Sequence, residues 1–350
     1  MMKKKFLALL LALGIFLCGC ELEFVPAPTL PAVSADGSAL TVHYIDVGQA
    51  DAILLETEGK FMLIDGGNKD DSQLVVSYLE QQGVQELEAV ICTHAHEDHV
   101  GGLPAVLAVY PTKAVYAPTK TYSSKIFDSF LYYVDQQGLD VIIPSPGLVL
   151  TMGDMIMTVV GPVQSYAETN DTSIVLSALF DDTRFIFTGD MEVAAENDML
   201  DYWGEQMEWD STVLKVGHHG SSTSSSYRFL YEADPEYAIV SVGKDNSYGH
   251  PHQEILARYA DAGIPLFRTD ELGHIIVTAD GGDVQITWEN QSAQPSDVEQ
   301  ADTIYIGNKN SKKLHLPSCA SLPSENNQVI FQDYQEAIAA GYIACGSCMG

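Results

Sequence analysis

From His94 to His99 the chain reads His-Ala-His-Glu-Asp-His, three imidazoles and two carboxylates in six consecutive residues. Neutral imidazole and carboxylate are the ligands that a hydrolytic Zn²⁺ or Mn²⁺ prefers, and a tight loop at a strand end can aim them at two neighbouring ions. His94 and His96 are therefore assigned to one ion, Asp98 and His99 to the other. Asp98 counts as a catalytic candidate as well. The competing reading, a surface loop that happens to be rich in histidine, leaves this density unexplained.

Two further segments supply what such a site would lack. Phe185-Ile186-Phe187-Thr188-Gly189-Asp190 is a short apolar strand ending in a carboxylate. That placement suits an oxygen bridging two cations about 3.5–4 Å apart, and Asp190 is the bridging candidate. Leu214 to Ser221 is again strand then turn, with His218 and His219 at the exit between Gly217 and Gly220. One of the two is expected to bind metal and the other to protonate a leaving group or hold a substrate oxygen. The working assignment gives the metal to His219 and the catalytic role to His218.

Here the sequence resembles the metallo-β-lactamase fold hydrolases, whose HxHxDH signature stands as His94, His96, Asp98 and His99, with the bridging aspartate on Asp190. Within that superfamily it is most similar to the extracellular hydrolase domain of the ComEC competence proteins. The matching pieces are Asp46 to Asp51, Leu63 to Gly67, Asn170 to Ser173, His218 to Ser221 and Asn246 to Pro251, in the family's order over residues 41 to about 288. The resemblance implies an α/β fold, the αββα sandwich, with two divalent metal ions. It also shows a departure. No histidine occurs between His99 and His218, where many members carry another ligand; Asn170-Asp171 occupies the interval, and Asp171 is a candidate ligand there. Oxygen ligands suit Mn²⁺ about as well as Zn²⁺, so both metals stay open. His250 is either a replacement ligand or a substrate-facing group, and is counted as catalytic. Asp65 is expected to orient a metal ligand by hydrogen bonding rather than to bind metal. Asp46 and Asp51 read as turn caps.

The elements needed to hold these residues are legible in outline. Thr41 to Ile45, Ala52 to Glu56 and Phe61 to Ile64 read as a meander with a hairpin turn at Glu58-Gly59-Lys60. Gln73 to Gln82 has helical spacing and stops at Gly83, and a strand follows from Leu87 to Cys92, with Cys92 a buried small apolar group. Similar alternation recurs to Trp288 and predicts roughly a dozen strands and five or six helices.

The chain ends differently. Glu289 to Asp302 is polar and aperiodic and reads as a linker, 289–303. Beyond it His315-x3-Cys319 and Cys345-x2-Cys348 flank a helix-like run, Tyr334 to Ala340. Three thiolates and an imidazole satisfy a closed tetrahedral Zn²⁺ site, and a module as small as 304–350 needs such a staple. Disulfide pairing is the alternative, but three cysteines would leave one thiol over. The region resembles the Ada-type metal-binding domain. Lys309, Lys312 and Lys313 give it a local positive cluster, the one face expected to touch nucleic acid.

Lys3 to Lys5 followed by the apolar run Phe6 to Leu17 reads as an export signal, too short to span a bilayer. Leu17-Cys18-Gly19-Cys20 resembles a lipobox, which implies removal of residues 1–19, lipidation of Cys20 and a tether over 20–40. The protein is thus expected as an outward-facing bacterial membrane lipoprotein. With 48 acidic and 17 basic residues the net charge is −31, and loss of Lys3, Lys4 and Lys5 takes it to −34. Such a chain repels phosphate backbones at long range, which argues against a constitutive nucleic-acid clamp but not against turnover of phosphodiesters.

The expectation is an exported, lipid-anchored, monomeric dinuclear metallohydrolase cleaving phosphodiesters, DNA foremost. Two alternatives stand beside it: an envelope phosphodiesterase such as a phosphocholine esterase, and a non-catalytic surface adaptor that binds DNA or an envelope polymer. β-Lactam hydrolysis fits poorly, since that chemistry does not call for the double-histidine turn.

Overall fold

The computed structural model describes residues 39–282, 284–295, 304–317 and 319–349. The export signal, Cys20 and most of the tether lie outside the described residues. Three sheets are present among them. The first runs Gln285–Trp288, Ile275–Ala279, Leu40–Tyr44, Ile53–Thr57, Lys60–Ile64, Ala89–Ile91, Val115–Tyr116, Val141–Ile142 in spatial order. The second runs Leu266–Arg268, Tyr237–Val240, Val213–Lys215, Thr183–Phe187, Val175–Phe180, Met155–Gly161, Val149–Met152. Their facing surfaces bury one core, with Val42, Tyr44, Met62 and Ile91 from the first sheet against Met157, Leu176, Phe185 and Phe187 from the second.

Helices cover both outer faces. Ser72–Gln81, Leu103–Val109 and Lys125–Gln136 pack on the first sheet through Val75, Leu79, Val106, Phe127 and Phe130. Val193–Trp203, Tyr227–Ala233 and Gln253–Asp261 pack on the second through Met199, Trp203, Phe229 and Tyr259. The order helix, sheet, sheet, helix is the αββα sandwich expected. It also explains why central strands such as Ala89–Ile91 are apolar without alternation, since both of their faces are covered.

Local sequence determines where elements turn. Thr57 pairs with Lys60, so the hairpin loop is Glu58-Gly59, and both residues have positive φ (53° and 69°), the geometry that matches strand twist. The Ser124 hydroxyl accepts the Phe127 amide and starts helix Lys125–Gln136. Strand Ala89–Ile91 is shorter than the apolar run Leu87 to Cys92: Leu87 makes only an isolated bridge to Thr112, and Cys92 turns its thiol back onto the His94 carbonyl at 2.9 Å.

Lys60–Ile64, Ala89–Ile91, Val115–Tyr116 and Val141–Ile142 are parallel, as are Thr183–Phe187, Val213–Lys215, Tyr237–Val240 and Leu266–Arg268. The loops at the carboxyl ends of these strands meet at one rim of the sandwich, where open α/β sheets place their ligands. After Trp288 the chain first folds back, with the Asn290 amide on the Leu272 carbonyl and the Trp288 indole donating to Ala293. A separate small sheet, in the order Gln328–Phe331, Tyr305–Asn308, Lys313–His315, Ile343–Ala344, forms the tail.

Candidate metal centre

The rim loops converge on Asp190. His99 Nε2 lies 3.3 Å from its Oδ2, His219 Nε2 3.6 Å, His218 Nε2 3.7 Å and His94 Nε2 3.9 Å. Asp98 Oδ2 is 3.4 Å from His219 Nε2, and the ligand atoms of Asp98, His99, Asp190 and His219 all lie within 4.8 Å of one another. His96 Nδ1 stands 3.1 Å from His94 Nε2, so the His94–His96 pair reaches Asp190 through His94. Two groups of donors thus share one carboxylate.

Backbone strain aims these groups. His218 and His219 are consecutive left-handed residues (φ 49° and 52°), and Asp65 is a third at 57°. Side chains rarely adopt that conformation, so the surrounding structure must hold it. Gly220 follows at φ 83° with Pro251 so close that a Cβ would lie 2.6 Å from its ring carbon, which leaves only glycine there.

Supporting partners fix each ring. Asp65 Oδ2 lies 2.7 Å from His99 Nδ1, while the same carboxylate accepts the Thr93 amide at 2.7 Å and its hydroxyl at 2.6 Å. His219 Nδ1 faces the Ser241 carbonyl at 2.9 Å and Asp51 Oδ1 at 3.4 Å. Behind them Lys215, fully buried, pairs with Asp51 Oδ2 at 2.9 Å and donates to the Val216 carbonyl. Each Nδ1 is thereby engaged from outside, and each Nε2 is turned inward.

The electrostatics follow from this crowding. Burial disfavours a charged His99, but Asp190, then Asp65 and Asp98, outweigh it and hold the imidazolium well above its ordinary range. His219 is likewise pushed up to about 10 against burial, by Asp190 and Asp51. Burial opposes ionisation of Asp190, yet His99 and His219 keep it far below the usual carboxylate value. His94, buried and next to His99, is held neutral. The carboxylates of this nest draw positive charge, which His99 and His219 supply as imidazolium or which a cation would supply on their deprotonated nitrogens.

Whether a divalent cation fits can be read from buried atoms left without a hydrogen bond: His99 Nε2, His219 Nε2 and Asp190 Oδ1 are among them, and both nitrogens lie within 3.6 Å of Asp190 Oδ2. Orphaned buried donors and acceptors are costly unless something satisfies them, and a cation among deprotonated nitrogens and oxygens does so. The donor set fits.

The remaining candidates fall as follows. Asp171 is not brought to the cluster; its Oδ1 accepts the Glu192 amide at 3.1 Å, next to the start of helix Val193–Trp203. Its neighbour Asn170 points inward instead, with Nδ2 at 3.4 Å from His218 Nε2 and an unsatisfied buried Oδ1. His250 stands beside His218 with ring centroids 5.6 Å apart and Nδ1 3.3 Å from Gln49 Nε2; burial, then His218, lower it to about 4. Asp51, read in the sequence as a turn cap, is wholly buried and ion-paired, while Asp46 does accept the Gly48 amide. The fully apolar setting of Lys215 in its strand was the one signal that could have drawn attention to the pair. A cleft of about 500 Å³ opens over the cluster.

In the tail, His315, Cys319, Cys345 and Cys348 gather within 4.8 Å, and the three cysteines are free thiols. His315 ends strand Lys313–His315, and Cys345 follows its parallel neighbour Ile343–Ala344, so pairing of two short strands brings the ligands together.

The metallo-beta-lactamase superfamily model matches residues 45–244, the segment that carries the whole cluster. This chain belongs to the metallo-beta-lactamase superfamily. A second model, the metal binding domain of Ada, matches residues 289–349, and the tail is an Ada-like zinc-binding module. Among curated relatives, ComE operon protein 3 of Bacillus subtilis is 29% identical over 70% of this chain and 33% of its own length. Competence protein ComA of Neisseria gonorrhoeae is 30% identical over 69% of this chain and 32% of its own. The chain therefore spans about a third of the length of the competence relatives it matches. A metallo-beta-lactamase fold protein from Bacillus subtilis aligns over 72% of this chain and 100% of its own, at 13% identity and a TM-score of 0.48. As a member of this superfamily the protein is a metal-dependent hydrolase of competence-protein kinship.

Proposed function

We propose that this hydrolase cleaves phosphodiesters with two divalent ions, Zn²⁺ or Mn²⁺, and that DNA is its foremost substrate. The observation that carries the reading is the sharing of Asp190 between two donor groups, His99, His219 and Asp98 on one side and His94 and His96 on the other. Ions held there would supply a water of lowered pKa and neutralise charge on the phosphoryl oxygens. His219 and His99 keep Nε2 inward because Ser241, Asp51 and Asp65 hold their other nitrogens. His218, partly exposed at the cleft wall with Nδ1 3.1 Å from the Thr223 hydroxyl and 3.2 Å from Glu192, is placed to pass a proton to a leaving oxygen. His250 lies next to it, facing the same space.

Kinship with competence proteins supports the choice of DNA, and the acidic chain supports weak, transient contact rather than tight holding. Export and a lipid anchor on Cys20 belong to the same proposal, resting on Lys3 to Leu17 and the Leu17-Cys18-Gly19-Cys20 tetrapeptide. Among the described residues no helix is long and apolar enough to cross a membrane. The test is hydrolysis of bis-p-nitrophenyl phosphate, of single- and double-stranded linear DNA and of p-nitrophenyl phosphocholine by the metal-loaded protein. DNA cleavage lost in His96→Ala supports the reading; hydrolysis of the choline ester alone favours the envelope phosphodiesterase, and inertness toward all favours the adaptor.

A further inference from the structure

At 67% exposure Tyr248 is the most open large apolar side chain among the described residues. A lone exposed ring is ordinary, but this one lines the catalytic cleft. Its ring stacks on His250, with centroids 5.6 Å apart and 26° between planes, and His250 in turn meets His218 edge-on at 5.6 Å. Three rings thus form a row from solvent to a group 3.7 Å from Asp190.

The loop that carries the row is built rather than loose. Asn246 clasps it: its Oδ1 accepts the amides of Tyr248 at 3.1 Å and His250 at 3.0 Å, and its Nδ2 donates to the carbonyls of Gly243 at 2.9 Å and His250 at 2.6 Å. One side chain therefore makes four hydrogen bonds that hold the ring at the mouth, so little ordering entropy remains to be lost when a ligand arrives.

The rest of the wall says what kind of ligand suits it. Gln49, Asn68 and Glu97 line the cleft, and neither Lys nor Arg does among the described residues. Within this cleft the metal centre must therefore meet the anionic group; Lys244 and Arg268 line the adjoining recess on the other side of His250. A quaternary ammonium is usually enclosed by several rings, whereas Tyr248 presents a single open face. A flat, uncharged ring is what that face accommodates.

We propose that a nucleobase next to the scissile phosphodiester stacks on Tyr248, which makes the preferred substrate an unpaired nucleic-acid strand. Base–aromatic stacking tolerates any sequence because every base has a π face, and an unpaired strand leaves that face free. This inference rests on the phosphodiesterase reading and adds the recognition element to it.

The test compares two oligonucleotides with equal numbers of phosphodiesters, one of thymidines and one abasic throughout, on the metal-loaded full chain. The wild type is expected to show higher kcat/KM on the base-bearing strand. Tyr248→Ala should reduce that preference roughly 5- to 100-fold, toward parity, and Tyr248→Phe should retain it. A preference unchanged in Tyr248→Ala, or absent from the wild type, overturns the stacking role alone. Hydrolysis of small phosphodiesters without cleavage of either oligonucleotide also overturns it while leaving the phosphodiesterase reading intact. Inertness toward every phosphodiester overturns both.

Discussion

Lys215 Nζ and Asp51 Oδ2 form an ion pair 2.9 Å long in which both side chains are buried, and the other oxygen of that carboxylate faces His219 Nδ1 at 3.4 Å. Burial alone would raise the Asp51 pKa, yet Lys215, then His219, holds it well below the usual range. The pair therefore behaves as a fixed dipole beneath the candidate metal ligands, joining the end of strand Val213–Lys215 in the second sheet to the loop before strand Ile53–Thr57 in the first.

Breaking the pair leaves one charge buried without its partner. Lys215→Met should destabilise the protein by about 3–5 kcal/mol, read from urea unfolding, while Lys215→Met combined with Asp51→Asn should recover part of that loss. Asp51→Asn by itself should weaken metal binding roughly 10- to 100-fold in a chelator competition, because His219 Nδ1 loses a carboxylate partner. Wild-type stability in Lys215→Met would contradict the buried pair.

The tail is tied to the hydrolase domain through Tyr227, whose ring packs with Tyr305 and Tyr334 and whose amide lies 3.4 Å from the Met349 carbonyl, one residue past Cys348. Small modules take much of their folding free energy from the metal, about 10–16 kcal/mol for zinc-finger peptides. Cys319→Ser with Cys348→Ser in the full chain should raise hydrogen exchange from Tyr305 to Met349 and at the start of helix Tyr227–Ala233, leaving the central strands protected. Unchanged exchange in the tail would remove zinc as its staple.

Under the proposed reading, the contact with DNA outside the metal centre is assigned to Lys309, Lys312 and Lys313. The first donates to the Asn326 carbonyl at 3.1 Å and the second covers the Tyr342 ring at 4.4 Å, so both are anchored on an exposed face. Changing all three to Gln should weaken binding of long DNA and flatten its salt slope by roughly 2, at about 0.7 per phosphate contact on single strands. An unchanged slope would remove the tail as a DNA-contacting element.

How much of this could be read from residues alone follows the range of each interaction. The ligand loop, Asp190 and the His218-His219 turn are short motifs at strand ends, and local patterning suffices for them. The hairpin at Glu58-Gly59 and the cap at Ser124 are local as well. Lys215 and Asp51 are far apart in sequence and meet only when the second sheet packs over the first, so the apolar run around Lys215 marks that lysine as unusual but cannot name its partner. Choosing between Asn170 and Asp171 required the single turn Asn170–Thr172, which rotates one inward and leaves the other to the Glu192 amide. Tyr248 stands within the Asn246 to Pro251 segment, but its place at the cleft follows only from its stacking on His250.

The shared carboxylate is the centre of the account, and metal stoichiometry measured together with turnover tests it most directly. Metal content by mass spectrometry and bis-p-nitrophenyl phosphate hydrolysis would be followed in the wild type and in Asp190→Asn, both with the tail cysteines intact. The account predicts two ions in the wild type beyond the one in the tail, and in Asp190→Asn the loss of hydrolase-domain metal together with turnover, while the fold is retained. Wild-type turnover in Asp190→Asn, or full activity with metal only in the tail, would contradict it.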